Sequence, residues 1–305
     1  MKDKFIMIKK NQIFFSYSLS LIFSLSSLCA LCGETVFIPE DNPSQIEITG
    51  RMDSPALREP SGIVKSRRSP GIYWVHNDSG NAPMLFAIRA DGSLVQAFMT
   101  SVVNVDWEDI ATDADGRLYI GDIGDNFGLL PVRVIYRLDE PDPEQPAEGA
   151  LSVPLASYYR FRDGDRFDAE GLVIQGSRAL VIAKRLDGRE AEVYAVPIDP
   201  PAPLIRPALP EQVATLPGFQ EPVTGADLSS DGRLLVACGL DVVRVYEIRE
   251  ERPWRLVGEV RYKVNDQIEA VCWDGADLRL CGEKGGMYRI PLEAWRDRTA
   301  EGPGP

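Results

Sequence analysis

The sequence predicts an all-β protein, a five-bladed β-propeller, and three observations carry that expectation. First, an anchor segment recurs five times: Pro60-Ser61-Gly62-Ile63, Trp107-Glu108-Asp109-Ile110, Ala169-Glu170-Gly171-Leu172, Gly225-Ala226-Asp227-Leu228 and Ile268-Glu269-Ala270-Val271. Taking Ser61, Glu108, Glu170, Ala226 and Glu269 as equivalent, the spacings are 47, 62, 56 and 43 residues, the length of a repeat with several strands. Second, short apolar runs follow each anchor, and Asp-Gly pairs punctuate them at 91–92, 115–116, 187–188, 231–232 and 274–275. Asp-Gly suits two-residue hairpin turns, whose central positions need positive φ. Third, no long segment beyond residue 32 carries a 3.6-residue apolar period. A six-bladed ring is the competing count. Its extra blade would have to sit in the 62-residue interval, which a proline-rich insertion already explains.

The elements follow in order. Residues 1–32 read as a signal peptide: Lys2, Lys4, Lys9 and Lys10 precede an apolar, serine-rich stretch from Ile13 to Leu31, with cleavage expected before Gly33. The alternatives are an uncleaved anchor, which six serines weaken, and a lipid-anchored cysteine. Residues 33–44 are expected to be a flexible lead-in, 45–293 a single propeller domain, and 294–305 a disordered tail. The second unit divides into strands near 107–113, 117–122, 132–138 and 155–162. The fourth divides into 224–229, 233–238, 242–248 and 254–262. The fifth offers only 267–273, 278–282 and 286–291, so Gln45–Thr49 is expected to supply its outer strand. That closure joins the chain ends and removes an open sheet edge. The stretches Pro141–Pro146 and Pro197–Pro210 are expected to be surface loops, since proline cannot occupy a central strand.

Charge bounds the partners. The 305-residue chain carries a formal net charge of −13. Loss of residues 1–32 would remove four lysines and one aspartate and leave it more acidic still. That balance argues against nucleic acid and anionic membranes and suits cations. A secreted or periplasmic monomer with no membrane span after cleavage is expected. Cys238, Cys272 and Cys281 would remain, an odd number. Cys272 and Cys281 fall on adjacent strands and could be bridged or be small core residues.

Propeller topology places the entry to each inner strand and the exit from each second strand on one face. The first set contributes Glu108, Glu170, Asp227 and Glu269. The second contributes His76-Asn77-Asp78, Asp122 with Asp125 and Asn126, Lys184 and Arg185, and Lys284. Carboxylates 5–6 Å apart repel by about 3 kcal/mol per pair at an effective dielectric near 20. A bound cation, raised pKa values or basic neighbours would relieve this. Calcium suits the oxygen-rich set and magnesium is second; zinc does not, with one histidine and no thiol cluster. Glu108, Glu170 and Glu269 are the expected ligands. His76 and Asp122 are candidate general bases. Lys184, Arg185 and Lys284 would meet an anionic ligand or neutralise the acids internally. Asn77, Asp78, Asp125 and Asn126 would line the mouth, and Trp107 could border it and stack on a ligand.

The blocks His76–Gly80, Asp106–Ala111, Gly121–Asn126, Asp168–Gly171 and Thr224–Asp227 resemble a family of secreted bacterial propellers of unassigned activity. More loosely, the chain resembles the calcium-activated nucleotidases, or apyrases, five-bladed propellers with a channel calcium held by serine and glutamate of the inner strands. That resemblance implies Ser61, Glu108, Glu170 and Glu269 as metal ligands. Ala226 departs from the pattern, and the adjacent Asp227 could compensate. The reading that results is an exported propeller with a calcium-bearing mouth, a metal-dependent hydrolase of phosphoesters or other small polar esters. The alternative is a non-catalytic binding module with a structural ion or a salt-bridge network.

Overall fold

The computed structural model describes residues 45–146, 148–162, 168–249 and 254–295. The expected signal segment 1–32, the lead-in 33–44 and residues 296–305 lie outside them. Among the described residues the chain forms five four-stranded antiparallel sheets, a five-bladed propeller.

Strand β1 (Glu47–Arg51) comes first in the chain and last in the ring. Blade one holds β2 (Pro60–Lys65), β3 (Tyr73–Asn77), β4 (Met84–Ile88) and β5 (Leu94–Met99). Blade two holds β6 (Trp107–Thr112), β7 (Arg117–Asp122), β8 (Arg133–Asp139) and β9 (Leu155–Tyr159). Blade three holds β10 (Asp168–Gln175), β11 (Arg178–Lys184), β12 (Glu192–Pro197) and β13 (Glu211–Thr215). Blade four holds β14 (Gly225–Leu228), β15 (Leu234–Cys238), β16 (Val242–Glu247) and β17 (Arg255–Arg261). Blade five holds β18 (Ile268–Asp274), β19 (Asp277–Gly282) and β20 (Gly286–Ile290), and β1 completes it by pairing with β20. The closing strand lies two residues beyond the Gln45–Thr49 expected from the sequence. A single turn of helix, α1 (Leu292–Trp295), follows β20 and buries Trp295 against β18, edge to face with Trp273. The 293/294 boundary drawn from sequence therefore falls inside α1.

The core is divided among the blade interfaces. Trp74 and Phe98 of blade one pack with Ile110 and Leu118 of blade two. Comparable apolar clusters join blades two and three, three and four, four and five, and five and one. Sheet packing of this kind needs apolar residues on both faces of the inner strands, so Ile110, Leu172 and Val271 are buried.

The Asp-Gly turns form, with a different geometry from the one expected. Gly92, Gly116, Gly188, Gly232 and Gly275 all have φ between 71° and 87°, yet among the described residues Glu59 is the only non-glycine with positive φ. The aspartates therefore stay right-handed. Gly116 N–H bonds Asp113 O, Gly232 N–H bonds Ser229 O, and Gly92 N–H bonds Arg89 O. These are longer hairpin loops built on a type I turn that ends in a left-handed glycine. The two insertions run along neighbouring blades. Leu151 exchanges backbone hydrogen bonds with Met99 and Ser101 at the end of β5, and Ala208 does so with Tyr158 and Arg160 of the blade-two edge. Both cover outer strands that would otherwise present unpaired edges.

Candidate metal centre at the channel mouth

Strand register fixes which residues meet. Pro60 pairs with Asn77, Trp107 with Asp122, Asp168 with Lys184, Gly225 with Cys238 and Ile268 with Gly282. Inner-strand entries and second-strand exits thus share one end of the channel. In four blades the pairing skips one residue there, and the skipped residue is Ser61, Glu108, Glu170 or Glu269. Such a bulge leaves its residue out of the ladder and re-aims the side chain. Blade four runs in regular register through Gly225, Ala226 and Asp227. It is also the blade whose anchor is apolar.

The bulges bring acids together. Asp78, Asp106 and Glu108 each place an oxygen within 4.8 Å of the others, and Glu108, Asp168 and Glu170 do the same. Glu108 belongs to both trios. Glu108 and Glu170 are buried. Burial, then the neighbouring Glu170, pushes the Glu108 carboxyl well above its ordinary range. Burial lifts Glu170 to about 8 against the pull of Lys184. Burial followed by Asp168 and Asp78 raises Asp106 to about 6. Glu269 is the skipped residue at the same end of β18; it is raised by burial and then by Glu170, and the Gln267 amide donates to it. Lys184 is the cation among them: its ammonium bonds Glu170 and lies 3.8 Å from Asp168 Oδ2. Burial alone would lower the Lys184 pKa, but Glu170 and Asp168 hold it above its usual value.

Two details fit a cation here. Asp168 is 8% exposed, and among the described residues its buried Oδ2 has no hydrogen-bond partner. The backbone at Gly124 closes directly over the acids: a Cβ there would lie 2.2 Å from Glu108 Oε1 and 2.5 Å from Asp106 Oδ2. The donor set is all oxygen, the chemistry of calcium or magnesium.

The other residues singled out from sequence fall into three groups. Asp78 belongs to the acid cluster. Ser61 lies beside it and donates its hydroxyl to the Glu108 carbonyl at 2.7 Å, joining blades one and two. Asn126 and Lys284 are exposed on mouth loops, with the Lys284 N–H on Asp266. The rest are braces, and several expectations are corrected. His76 is fully buried beneath Gly62, its ring edge-on to Trp107 at 5.5 Å; burial lowers its pKa to about 4. It has no access to a substrate at the mouth. Trp107 is likewise fully buried, its indole N–H on Val103 O, so it stacks in the core and not on a ligand. Asn77 braces the Ala56–Arg58 loop. Asp125 accepts from Leu129, Leu130 and Arg133. Arg185 is buried with a forked ion pair to Glu192, which withdraws it from any anion at the mouth. Asp122, raised to about 6 by burial, accepts the Asp106 N–H at 2.7 Å and positions that residue.

Asp227 also departs from its expected role. Its oxygens accept N–H bonds from Leu228 and, across the blade boundary, from Trp273 at 2.9 Å. Without a bulge in β14 it does not turn to the mouth. Its counterpart is Asp109, which sequence reasoning missed. Asp109 is fully buried and accepts N–H bonds from Ile110, Leu172 of blade three and Ala226 of blade four. One carboxylate thus ties three blades. Asp106 and Asp168 were also missed as cluster members. Their signal was an aspartate two residues before the anchor in two successive repeats. Cys238, Cys272 and Cys281 are free and buried. Cys272 and Cys281 share one apolar cluster.

No protein-family model matches the chain, and no curated protein does so. Among solved structures, an X-ray structure described as a candidate gluconolactonase aligns over 78% of this chain and 76% of that one, at 18% identity and a TM-score of 0.43. A likeness that distant carries no activity across.

Proposed function

We propose that this is an exported propeller whose mouth binds a divalent cation, calcium first and magnesium second, and that the site acts as a metal-dependent hydrolase of phosphoesters or other small polar esters. One observation carries the reading: two carboxylate trios share Glu108, and beside it Asp168 Oδ2 is buried without a hydrogen-bond partner among the described residues. Among the described residues five acids face one lysine, a crowding that protonation relieves in part and a doubly charged ion would relieve further. The acids come from three blades with flexible side chains, which suits the loose geometry and 6–8 oxygen ligands of calcium better than the strict octahedron of magnesium.

Glu108, Asp168 and Glu170 would hold the ion, and Asp78 and Asp106 would complete the set. A bound cation would supply Lewis acidity toward a phosphoryl or carbonyl oxygen. The chain's own contributions follow from the geometry. Lys184 meets the anion of the ligand. Asp122 and the Gly124 backbone hold Asp106 in place. Asp122, raised to about 6 by burial and outside the ligand set, would be the group to accept a proton close to neutral pH. The ligand would be a small polar or anionic molecule and the protein a monomer, with no nucleic-acid partner. Export rests on the lysine-led apolar segment before Gly33. Among the described residues no helix is long and apolar enough to cross a membrane.

A second reading, a binding module with a structural ion, is favoured by the blade-to-blade bonds at the same place. Ser61 reaches the Glu108 carbonyl and Asp125 N–H reaches Asp168. One variant separates the two. Glu108→Gln should abolish turnover of p-nitrophenyl phosphate or a lactone while the protein still folds. Calcium-dependent melting in the wild type, with no turnover of any such ester, would leave the module.

A further inference from the structure

Loops of blades two and three next to the acid cluster carry side chains that water does not favour. Five large apolar residues on mouth loops are more than half exposed: Val103 at 63%, Val105 at 51%, Phe127 at 87%, Leu129 at 73% and Leu186 at 80%. Chain connectivity keeps each beside the acids. Val105 precedes Asp106. Leu186 is two residues beyond Lys184, whose ammonium bonds Glu170. Phe127 is three residues beyond Gly124, whose backbone touches Glu108 and Asp106. At no more than about 3.6 Å per residue, none is further than roughly 11 Å of chain from a residue touching the cluster, Leu129 excepted. Asp125 fixes the base of the 126–130 loop through its bonds to Leu129 N, Leu130 N and Arg133, so Phe127 is presented from a braced turn.

Exposed apolar groups beside a charged centre mark a binding surface. A purely polar ligand would leave this rim wetted. A purely apolar one would leave the outward side of the ion without a partner. We infer that the ligand is an amphiphilic anion, a phosphate or carboxylate head joined to an apolar chain or ring. The head meets the cation and Lys184, and the apolar part lies across Phe127 and Leu186. This names the substrate class of the proposed site and rests on that proposal. The rim adds affinity with each methylene covered, about 0.8 kcal/mol or roughly fourfold per fully buried group.

The test uses the full folded protein with calcium and three probes: ethyl phosphate, n-octyl phosphate below its micelle concentration, and phosphatidic acid vesicles. Calcium binding is measured separately by calorimetry. The expected result is octyl phosphate at least tenfold tighter than ethyl phosphate. That advantage should fall to threefold or less in the Phe127→Ser/Leu186→Ser double variant, with calcium affinity and melting unchanged. Equal affinity for the two phosphates, with calcium bound, overturns the inference and leaves the metal site standing. Binding to vesicles but not to octyl phosphate makes the rim a lipid-surface contact and also overturns it. No calcium binding by the wild type removes the metal reading and the inference with it.

Discussion

Replacing Asp109 with alanine should destabilise this protein more than any single change at the mouth. The carboxylate accepts the Leu172 N–H at 2.9 Å and the Ala226 N–H at 3.1 Å, both on its Oδ2, and the Ile110 N–H on Oδ1. All three donors are in the core. An unpaired buried donor costs about 1–3 kcal/mol, so the two inter-blade N–H groups alone contribute roughly 2–6 kcal/mol. Part of this is returned, because burial holds the Asp109 carboxyl well above its ordinary range and removal relieves that desolvation. A net loss of about 3 kcal/mol remains. For a chain of this size 1 kcal/mol shifts Tm by about 2–4 °C, so Asp109→Ala should melt roughly 6–12 °C below wild type by calorimetry. Asp109→Asn, which keeps one acceptor and the volume, should lose about half as much. Asp53→Ala, at an exposed position, should melt within about 1 °C of wild type. If Asp109→Ala melts with the wild type, the idea that one carboxylate ties three blades is wrong.

Three further expectations follow. Burial alone would raise Asp274, but bonds from Lys65, Arg279 and Tyr73 pull its carboxyl down to about 2. Because the folded pKa lies below the unfolded one, this stability is present above about pH 4 and lost as pH falls toward 2; urea melts of Asp274→Asn should therefore lack part of the wild type's acid sensitivity, about 1–2 kcal/mol. With Glu170 at about 8 and Asp106 at about 6, the cation must displace protons, so calcium affinity should climb steeply between pH 6 and 8 with measurable proton release. Lys184 competes with any cation through Glu170 and Asp168, so Lys184→Met should tighten calcium about tenfold, read by calorimetry at fixed pH.

The ring was legible because its signals are local and repeated. The anchors, the Asp-Gly turns and the unfinished fifth unit are spacings along the chain, and β1 needed only a two-residue shift. The site was half legible. Glu108 and Asp109 are neighbours, and simple alternation cannot say which faces the mouth. The bulge decides it, and a bulge is set by how β6 meets β7. The same cause explains the error at Asp227, which follows Ala226 in an unbulged strand and so takes the bracing role of Asp109. His76 and Trp107 were placed at the mouth by topology alone. Gly62 of the neighbouring strand lets the imidazole of His76 fit beneath it, and Trp107 packs against that ring. Arg185 reads as a free cation until Glu192, seven residues on, is folded against it.

The central claim is that carboxylates from three blades form one cation site. Calorimetric titration of metal-stripped wild type and Glu108→Gln with calcium tests it most directly, because Glu108 belongs to both trios. The account predicts one ion per chain, a rise in melting temperature on binding, and at least a hundredfold weaker binding in the variant. Wild-type protein that takes up no calcium or magnesium at millimolar concentration and neutral pH would contradict it, and would leave Lys184 as the acids' counter-charge among the described residues.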